Sequence, residues 1–221
     1  SVIGHCIGDG NLSLKQFSFF NKSRELIDEV IKNIKIAFST SIEPVEFKKS
    51  GGWEIEFPTN IARLIVICGG PIGKKVFLPF RVPLWVMNGS NQIKSNFLRA
   101  LFDDEGWVKI KINHKTKTVR RMIGINMSKN NKFSEQHKEF FEAIRKLLLG
   151  LGINSSKAIK MGKTKNGDSF GIIISNFNNL SKFFISIGFT NSIKNQKLLE
   201  NLTNSKRFDF TPEIIVKNQK L

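Results

Sequence analysis

The chain has 221 residues, and its 35 lysines and arginines against 18 aspartates and glutamates give a formal charge of +17. That length fits one large domain or two of about 100 residues each, and 40% hydrophobic with 24% charged residues excludes the disordered and fibrous classes. The surplus of positive charge excludes an ordinary small-molecule enzyme and implies a polyanionic partner, while the lack of an 18-residue apolar run or a basic-then-apolar leader argues against a membrane span or secretion.

In chain order, Val2 to Gly10 is an apolar stretch closing on Asp9 and a glycine, and Leu98 to Gly106 repeats it 96 residues later, closing on Glu105 and Gly106. The segments after the two copies are also similar. Asn11 to Lys15 and Trp107 to Asn113 alternate with the two-residue period of a half-buried strand, which places Leu12 and Leu14, and Val108, Ile110 and Ile112, inward. A second strand is expected at Gln16 to Asn21 and at Met122 to Met127. Amphipathic helices come next. One runs from Ser23 to Ala37 with Leu26, Ile27, Val30, Ile31 and Ile34 inward, the other from Glu135 to Leu149 with Phe140, Phe141, Ile144, Leu147 and Leu148 inward. Strand pairs are then expected at Val45 to Lys49 with Trp53 to Phe57, and at Ser156 to Met161 with Ser169 to Ser175. Gly51-Gly52 and Asn166-Gly167 supply the turns. Helices at Asn60 to Ile67 and Asn178 to Ile187 close the two halves, so the order α-β-β-α-β-β-α occurs twice. Gly69 to Gln92, with Pro71, Pro79 and Pro83, is the connection, and the tail from Asn191 adds a helix and a loose end containing Pro212.

Cys6 and Cys68 lack C-x-x-C partners and are expected to be reduced; His5, His114 and His137 lack zinc-ligand spacing, so any metal must be held by oxygen. The segment Cys68 to Lys75 brushes against a phosphate-binding loop, but it lacks the first glycine and the terminal hydroxyl, and Pro71 removes a backbone N–H. It is expected to be a turn. Asp9 and Glu105 carry more. An acid is poorly placed at a helix C-terminus, where the dipole is negative, and two such placements in a basic chain imply a cation, with Mg²⁺ the natural oxygen-liganded candidate. Gly4, Gly8 and Ala100 would let the two motif helices approach closely.

Both nonapeptides resemble the LAGLIDADG motif of homing endonucleases, and the likeness extends from Val82-Pro83-Leu84-Trp85 through Phe97-Leu98-Arg99-Ala100-Leu101-Phe102-Asp103-Asp104-Glu105-Gly106. The first copy departs from the pattern at His5 and Cys6, where apolar residues are usual. The resemblance implies an α+β fold of two pseudo-symmetric αββαββα domains with antiparallel β-sheet saddles, packed through the motif helices: residues 1–70, a linker at 71–92, residues 93–190, and a C-terminal helix and tail at 191–221. It implies that Asp9 and Glu105 bind divalent metal at the scissile phosphates of DNA, with the carbonyls of Gly8 and Asp104 completing the coordination. It places Lys22 and Lys129 as catalytic lysines, with Asn21 and Ser128 holding active-site water. Mg²⁺ or Mn²⁺ would serve catalysis and Ca²⁺ would be a non-catalytic substitute.

The strand parity that puts Val108, Ile110 and Ile112 inward presents Trp107, Lys109, Lys111, Asn113 and Lys115 on the other face, and Asn11, Ser13 and Lys15 in the first half. Basic residues in phase with a sheet suit a phosphate-lined groove. Lys48, Lys49, Arg120, Arg121, Lys160 and Lys163 are expected to add DNA contacts, while Glu46, Glu54 and Glu56 either accept from cytosine N4–H or face solvent. The function expected is a monomeric, site-specific homing endonuclease making a staggered double-strand break in a long DNA target, intracellular, in a prokaryotic cytoplasm or an organelle. No splicing-domain nucleophile is present, which favours a free-standing or intron-encoded enzyme. The alternatives are an RNA maturase, with intron RNA as partner, or a non-catalytic DNA-binding regulator. Residues 1–90 hold 11 basic and 8 acidic residues and residues 91–221 hold 24 and 10, so the second half is expected to supply most of the phosphate grip.

Overall fold

In a computed structural model, which describes residues 1–49 and 51–203, the chain forms two αββαββα halves. The first contains α1 (Val2–Ile7), β1 (Gly10–Leu12), β2 (Phe17–Asn21), α2 (Arg24–Ala37), β3 (Val45–Lys49), β4 (Gly52–Phe57) and α3 (Thr59–Ile67). A 3₁₀ turn at Lys75–Phe77 and a short helix α4 (Leu84–Met87) lead into the second half. There, α5 (Asn91–Glu105), β5 (Gly106–Asn113), β6 (Thr118–Lys129), α6 (Ser134–Gly150), β7 (Ile159–Thr164), β8 (Gly167–Ser175) and α7 (Phe177–Ser186) repeat the order, and α8 (Ser192–Thr203) comes last. The expected loose end with Pro212 lies outside the described residues.

Each half is a four-stranded antiparallel sheet, ordered β1-β2-β4-β3 and β5-β6-β8-β7. Directly opposed residues share a face, so register sorts the side chains. Phe17, Phe19, Ile55 and Phe57 lie on one face of the first sheet, and Ile123, Ile125, Phe170, Ile172 and Ile174 on one face of the second, all buried under helices. Leu26, Ile27, Val30 and Ile34 of α2, and Phe140, Phe141, Ile144, Leu147 and Leu148 of α6, supply the helical side of these cores. The turns are as expected, with Gly51 at φ +79° and Gly167 at φ +140°. That left-handed and extended-positive backbone suits glycine.

The six residues of α1 are too few for an independent helix. Tertiary burial holds it instead, since all six are buried and it lies against α5. The crossing is close enough that a Cβ on Gly4 would stand 2.6 Å from Phe97 O and 2.7 Å from Ala100 Cβ. The apolar residues of both halves thereby join in one continuous core.

Three expectations about exposure and boundaries are corrected. Leu14 lies in the turn after β1 and is 60% exposed, because β1 ends at Leu12. Ile110 and Ile112 keep the predicted parity, opposite Arg121 and Val119, yet are 51% and 54% exposed because the β5–β6 hairpin runs past the last helix that covers its sheet. The second motif helix begins at Asn91, inside the segment expected to be linker.

Candidate active site

Both motif helices deliver an acid to the same place. Glu105 is the last residue of α5, while Asp9 stands two residues past the end of α1. Burial, and then the neighbouring carboxylates, raise both: Asp9 to about 6, with Asp104 the repelling partner, and Glu105 to about 7, with Asp9 the first. Lys75 and Lys194 pull in the opposite direction at each acid. Two carboxyl groups held above their ordinary range by burial and by neighbouring negative charge form a site that a cation would relieve.

The lysines that face this pair are ones the motif pattern does not mark. Lys75 Nζ donates to the carbonyl of Cys6, at 3.1 Å, and to that of Gly8. Lys194 Nζ donates to the carbonyl of Phe102, at 3.2 Å, and to that of Asp103. Each ammonium thus caps the C-terminal end of one motif helix, where carbonyls lack intrahelical donors and the dipole is negative. Burial holds both below the usual lysine range. The positions correspond: Lys75 lies eight residues past the end of α3 at Ile67, and Lys194 lies eight past the end of α7 at Ser186. That spacing after the closing helix of each half was the available signal.

Each lysine is set by its own support. The side chain of Asp103 accepts from the backbone N–H groups of Thr190 and Asn191, both at 3.0 Å, which fixes the segment leading into α8 and Lys194. The matching position of the first motif is Ile7, which has no such acceptor, and the Lys75 loop is pinned from the other half. Lys129 Nζ donates to the carbonyls of Lys75 at 2.6 Å and Leu78 at 2.8 Å, over the face of Phe80.

The structure therefore does not bring Lys129 to the carboxylates. Its side chain is almost wholly buried, and burial, with Lys75 nearby, lowers it to about 7. Register gives the reason. Gly10 pairs with Phe19 and Gly106 with Ile125, so the counterparts of Asn21 and Lys22 are Met127 and Ser128, one residue before the pair the motif spacing selects. Asn21 does reach the site, its Nδ2 donating to Asp9 Oδ2 at 3.0 Å. Lys22 is exposed at the end of β2 and makes no hydrogen bond to a carboxylate among the described residues. Ser128 faces Ser169 on the outer side of the second sheet.

Gly8 and Asp104 meet at the helix crossing, where a Cβ on Gly8 would lie 2.3 Å from Asp104 Oδ2. The Asp104 side chain is fully buried, although its main chain stays accessible. It accepts from His5 Nδ1 at 3.1 Å and 3.2 Å, and from Asp9 N–H at 3.2 Å. Burial opposes the His5 imidazolium, but Asp104, with Glu29 and Asp103 adding to it, outweighs that and the net shift is upward. Among the described residues no three His, Cys, Asp or Glu side chains form a metal cage. The donor set consists of two carboxylates and main-chain oxygens, which fits a hard divalent cation that keeps part of its water shell.

The outer face of the second sheet carries Trp107, Lys109, Lys111 and Asn113 opposite Gly124, Met122, Arg120 and Thr118. Trp107 Nε1 donates to Asn126 at 2.8 Å, and Lys109 Nζ lies 4.6 Å from the Trp107 ring centre. Lys115 lies in the hairpin turn. Arg121, Lys160 and Lys163 have the other parity, opposite Ile110, Phe170 and Asp168, and Lys160 pairs with Asp168 at 2.6 Å. In the first sheet Asn11, Ser18, Phe20, Val45, Phe47, Glu54 and Glu56 share the outer face. Lys48 opposes Trp53 on the helix-side parity, as Glu46 opposes Ile55 and pairs with Arg24 of α2. Ser13 and Lys15 form the β1–β2 turn, and the side chain of Lys49 lies outside the described set.

Residues 92–188 match the LAGLIDADG-like domain family. The chain is 24% identical over 205 residues to the tRNA-splicing ligase RtcB of Methanopyrus kandleri, covering 85% of this chain and 20% of that protein. It is 26% identical to the replication factor C small subunit of Methanocaldococcus jannaschii, covering 85% and 11%, and 26% identical to glutamine–fructose-6-phosphate aminotransferase of the same organism, covering 95% and 18%. The chain thus spans a fifth or less of the length of these relatives. Among solved structures it is similar to a mesophilic variant of the homing endonuclease I-DmoI, with TM-score 0.55 and 15% identity over 84% of this chain and 92% of that one. It is also similar to the homing endonuclease I-WcaI bound to its DNA recognition sequence, with TM-score 0.51 and 17% identity over 95% and 85%, and to full-length DUF199/WhiA from Thermatoga maritima, with TM-score 0.52 and 18% identity over 99% and 65%. I-DmoI has been solved in complex with DNA and Ca and with DNA and Mn. Two four-stranded antiparallel sheets joined through paired motif helices give this chain the fold of those homing endonucleases, and residues 92–188, which hold the second motif, match the LAGLIDADG-like domain family.

Proposed function

We propose that the chain is a site-specific DNA endonuclease that makes a staggered double-strand break by divalent-cation-dependent phosphodiester hydrolysis, acting as a monomer. The observation that carries this reading is the convergence of Asp9 and Glu105 from two helices onto one centre, with the buried lysines Lys75 and Lys194 beside both. One chain supplies both acids, so no second copy is required. In this reading Asp9 and Glu105 hold the cations at the two scissile phosphates. A divalent cation bound there orients water, neutralises charge at phosphorus and stabilises the leaving 3′ oxygen. Asn21 fixes the rotamer of Asp9. Lys75 and Lys194 add fixed positive charge beside the developing phosphorane, in a site that needs little reorganisation. Trp107, Lys109, Lys111 and Arg120 hold the duplex on the second saddle.

The curated relatives bear on the host. A ligase, a replication factor and an aminotransferase of different named activities share with this chain only a minor part of their length. That pattern supports a mobile insert within host proteins, as an alternative to an intron-encoded enzyme. A second reading, a DNA-binding module without cleavage, is favoured by one observation: the carbonyls of Gly8 and Asp103 that border the acids are already engaged by lysines.

The test is selection from a plasmid library with randomised inserts, in Mg²⁺ or EDTA, with wild type, Asp9→Asn and Glu105→Gln. The nuclease reading expects linear product in Mg²⁺ from wild type alone. Retention on DNA without cutting would establish the second reading.

A further inference from the structure

Two of the departures from the motif pattern, one in each copy, touch each other. His5 stands where the motif has leucine and Asp104 where it has alanine; at the 96-residue offset their counterparts are Leu101 and Gly8. Both side chains are fully buried, paired across the interface between the halves. The carboxylate they share also accepts the backbone N–H of Asp9. The two acids are otherwise held differently. Glu105 belongs to the fifteen-residue α5, so helical hydrogen bonds place it, whereas Asp9 lies beyond the end of the six-residue α1 and depends on Asn21 and Asp104. Gly8 has no side chain with which to hold Glu105 in return.

We propose that His5 and Asp104 form a cross-interface clamp that positions Asp9, so that cutting of the strand served by Asp9 depends on the pair while cutting of the strand served by Glu105 does not. This rests on the nuclease reading above. His5 and Asp104 act through Asp9 and are positioning residues. His5 fixes the orientation of Asp104, Gly8 leaves the space that carboxylate occupies, and Asp104 sets the main chain that aims Asp9.

The experiment compares wild type, His5→Leu/Asp104→Ala and His5→Asn on supercoiled plasmid bearing the selected site, with each strand end-labelled. The double variant restores motif-like residues and leaves no unpaired buried charge, while the asparagine amide can donate from nearly the same place as Nδ1. The double variant should accumulate nicked circles, with one strand slowed about 10- to 100-fold, the usual cost of losing support behind a metal ligand, and the other unchanged. His5→Asn should keep the wild-type ratio of nicked to linear product. Calorimetric titration of the protein–DNA complex with Ca²⁺ provides a readout independent of cutting, and should show one weakened site and one unaltered site in the double variant. Equal slowing of both strands, a wild-type nicking ratio in the double variant, or unaltered Ca²⁺ affinity would overturn the clamp. Failure of wild type to cut any plasmid would overturn the nuclease reading instead, and the Ca²⁺ titration would still decide the clamp.

Discussion

Replacing Gly4 with alanine puts the helix crossing to a direct test. The added Cβ would meet Phe97 O at 2.6 Å, Ala100 Cβ at 2.7 Å and Leu101 N at 3.3 Å. Two of those atoms are backbone of α5 and cannot rotate away, so the helices must separate. Overpacking of a tight core costs about 1–3 kcal/mol, and contact with rigid backbone puts this site near the upper end. Alanine returns about 1 kcal/mol of helix propensity. The net loss of about 2 kcal/mol corresponds to a fall in Tm of about 4–8 °C for a chain of this length. Gly150→Ala is the control: the residue ends α6 with nothing within 4 Å of its added Cβ, so its Tm should rise by about 1–3 °C. Adding Ala100→Gly to Gly4→Ala should recover part of the loss by removing one of the contacts. Calorimetry measures all three, and a Gly4→Ala protein that melts at or above wild type would refute the close crossing on which the joint active centre depends.

Three further outcomes are expected. In EDTA, Tm should fall as pH rises through 6 and 7, because the native state holds protons on Asp9 and Glu105, and on Asp103, which burial raises to about 6, more tightly than the unfolded chain does; stability from this source is complete below the ordinary carboxylate range, saturating Mg²⁺ should remove the share owed to Asp9 and Glu105 and so shallow the decline, and a flat profile in EDTA would contradict it. Lys129→Met leaves the carbonyls of Lys75 and Leu78 without their donor and should cost about 1–3 kcal/mol in chemical denaturation, whereas Lys22→Met, at an exposed site, should leave stability unchanged. Neutralising Lys109 and Lys111 together should reduce the slope of log K against log salt by about 2, and neutralising Lys15 by about 1 at most; equal changes would count against the asymmetry of charge.

The architecture was legible because its signals are local. The periodicity of Leu26, Ile27, Val30 and Ile34 has few readings other than a helix on a sheet, and the motif repeat placed Asp9 and Glu105 together. The rest depends on long-range register and reach. A one-residue difference between motif spacing and strand pairing turned Lys129 inward. Lys75, in a segment read as a mere turn, enters the centre because that turn crosses beneath the other half. Alternation identified the faces of Ile110 and Ile112 correctly but carries no information on how far the covering helices extend.

The unequal hairpins have a consequence for geometry on DNA. β5 has eight residues and β1 has three, so at about 3.4 Å per residue the second saddle reaches about 27 Å from its motif glycine and the first about 10 Å. Base pairs stack at about the same interval. A duplex laid across both sheets would therefore be protected about five base pairs further on one side of the break than on the other, and the cut would fall off-centre in the footprint.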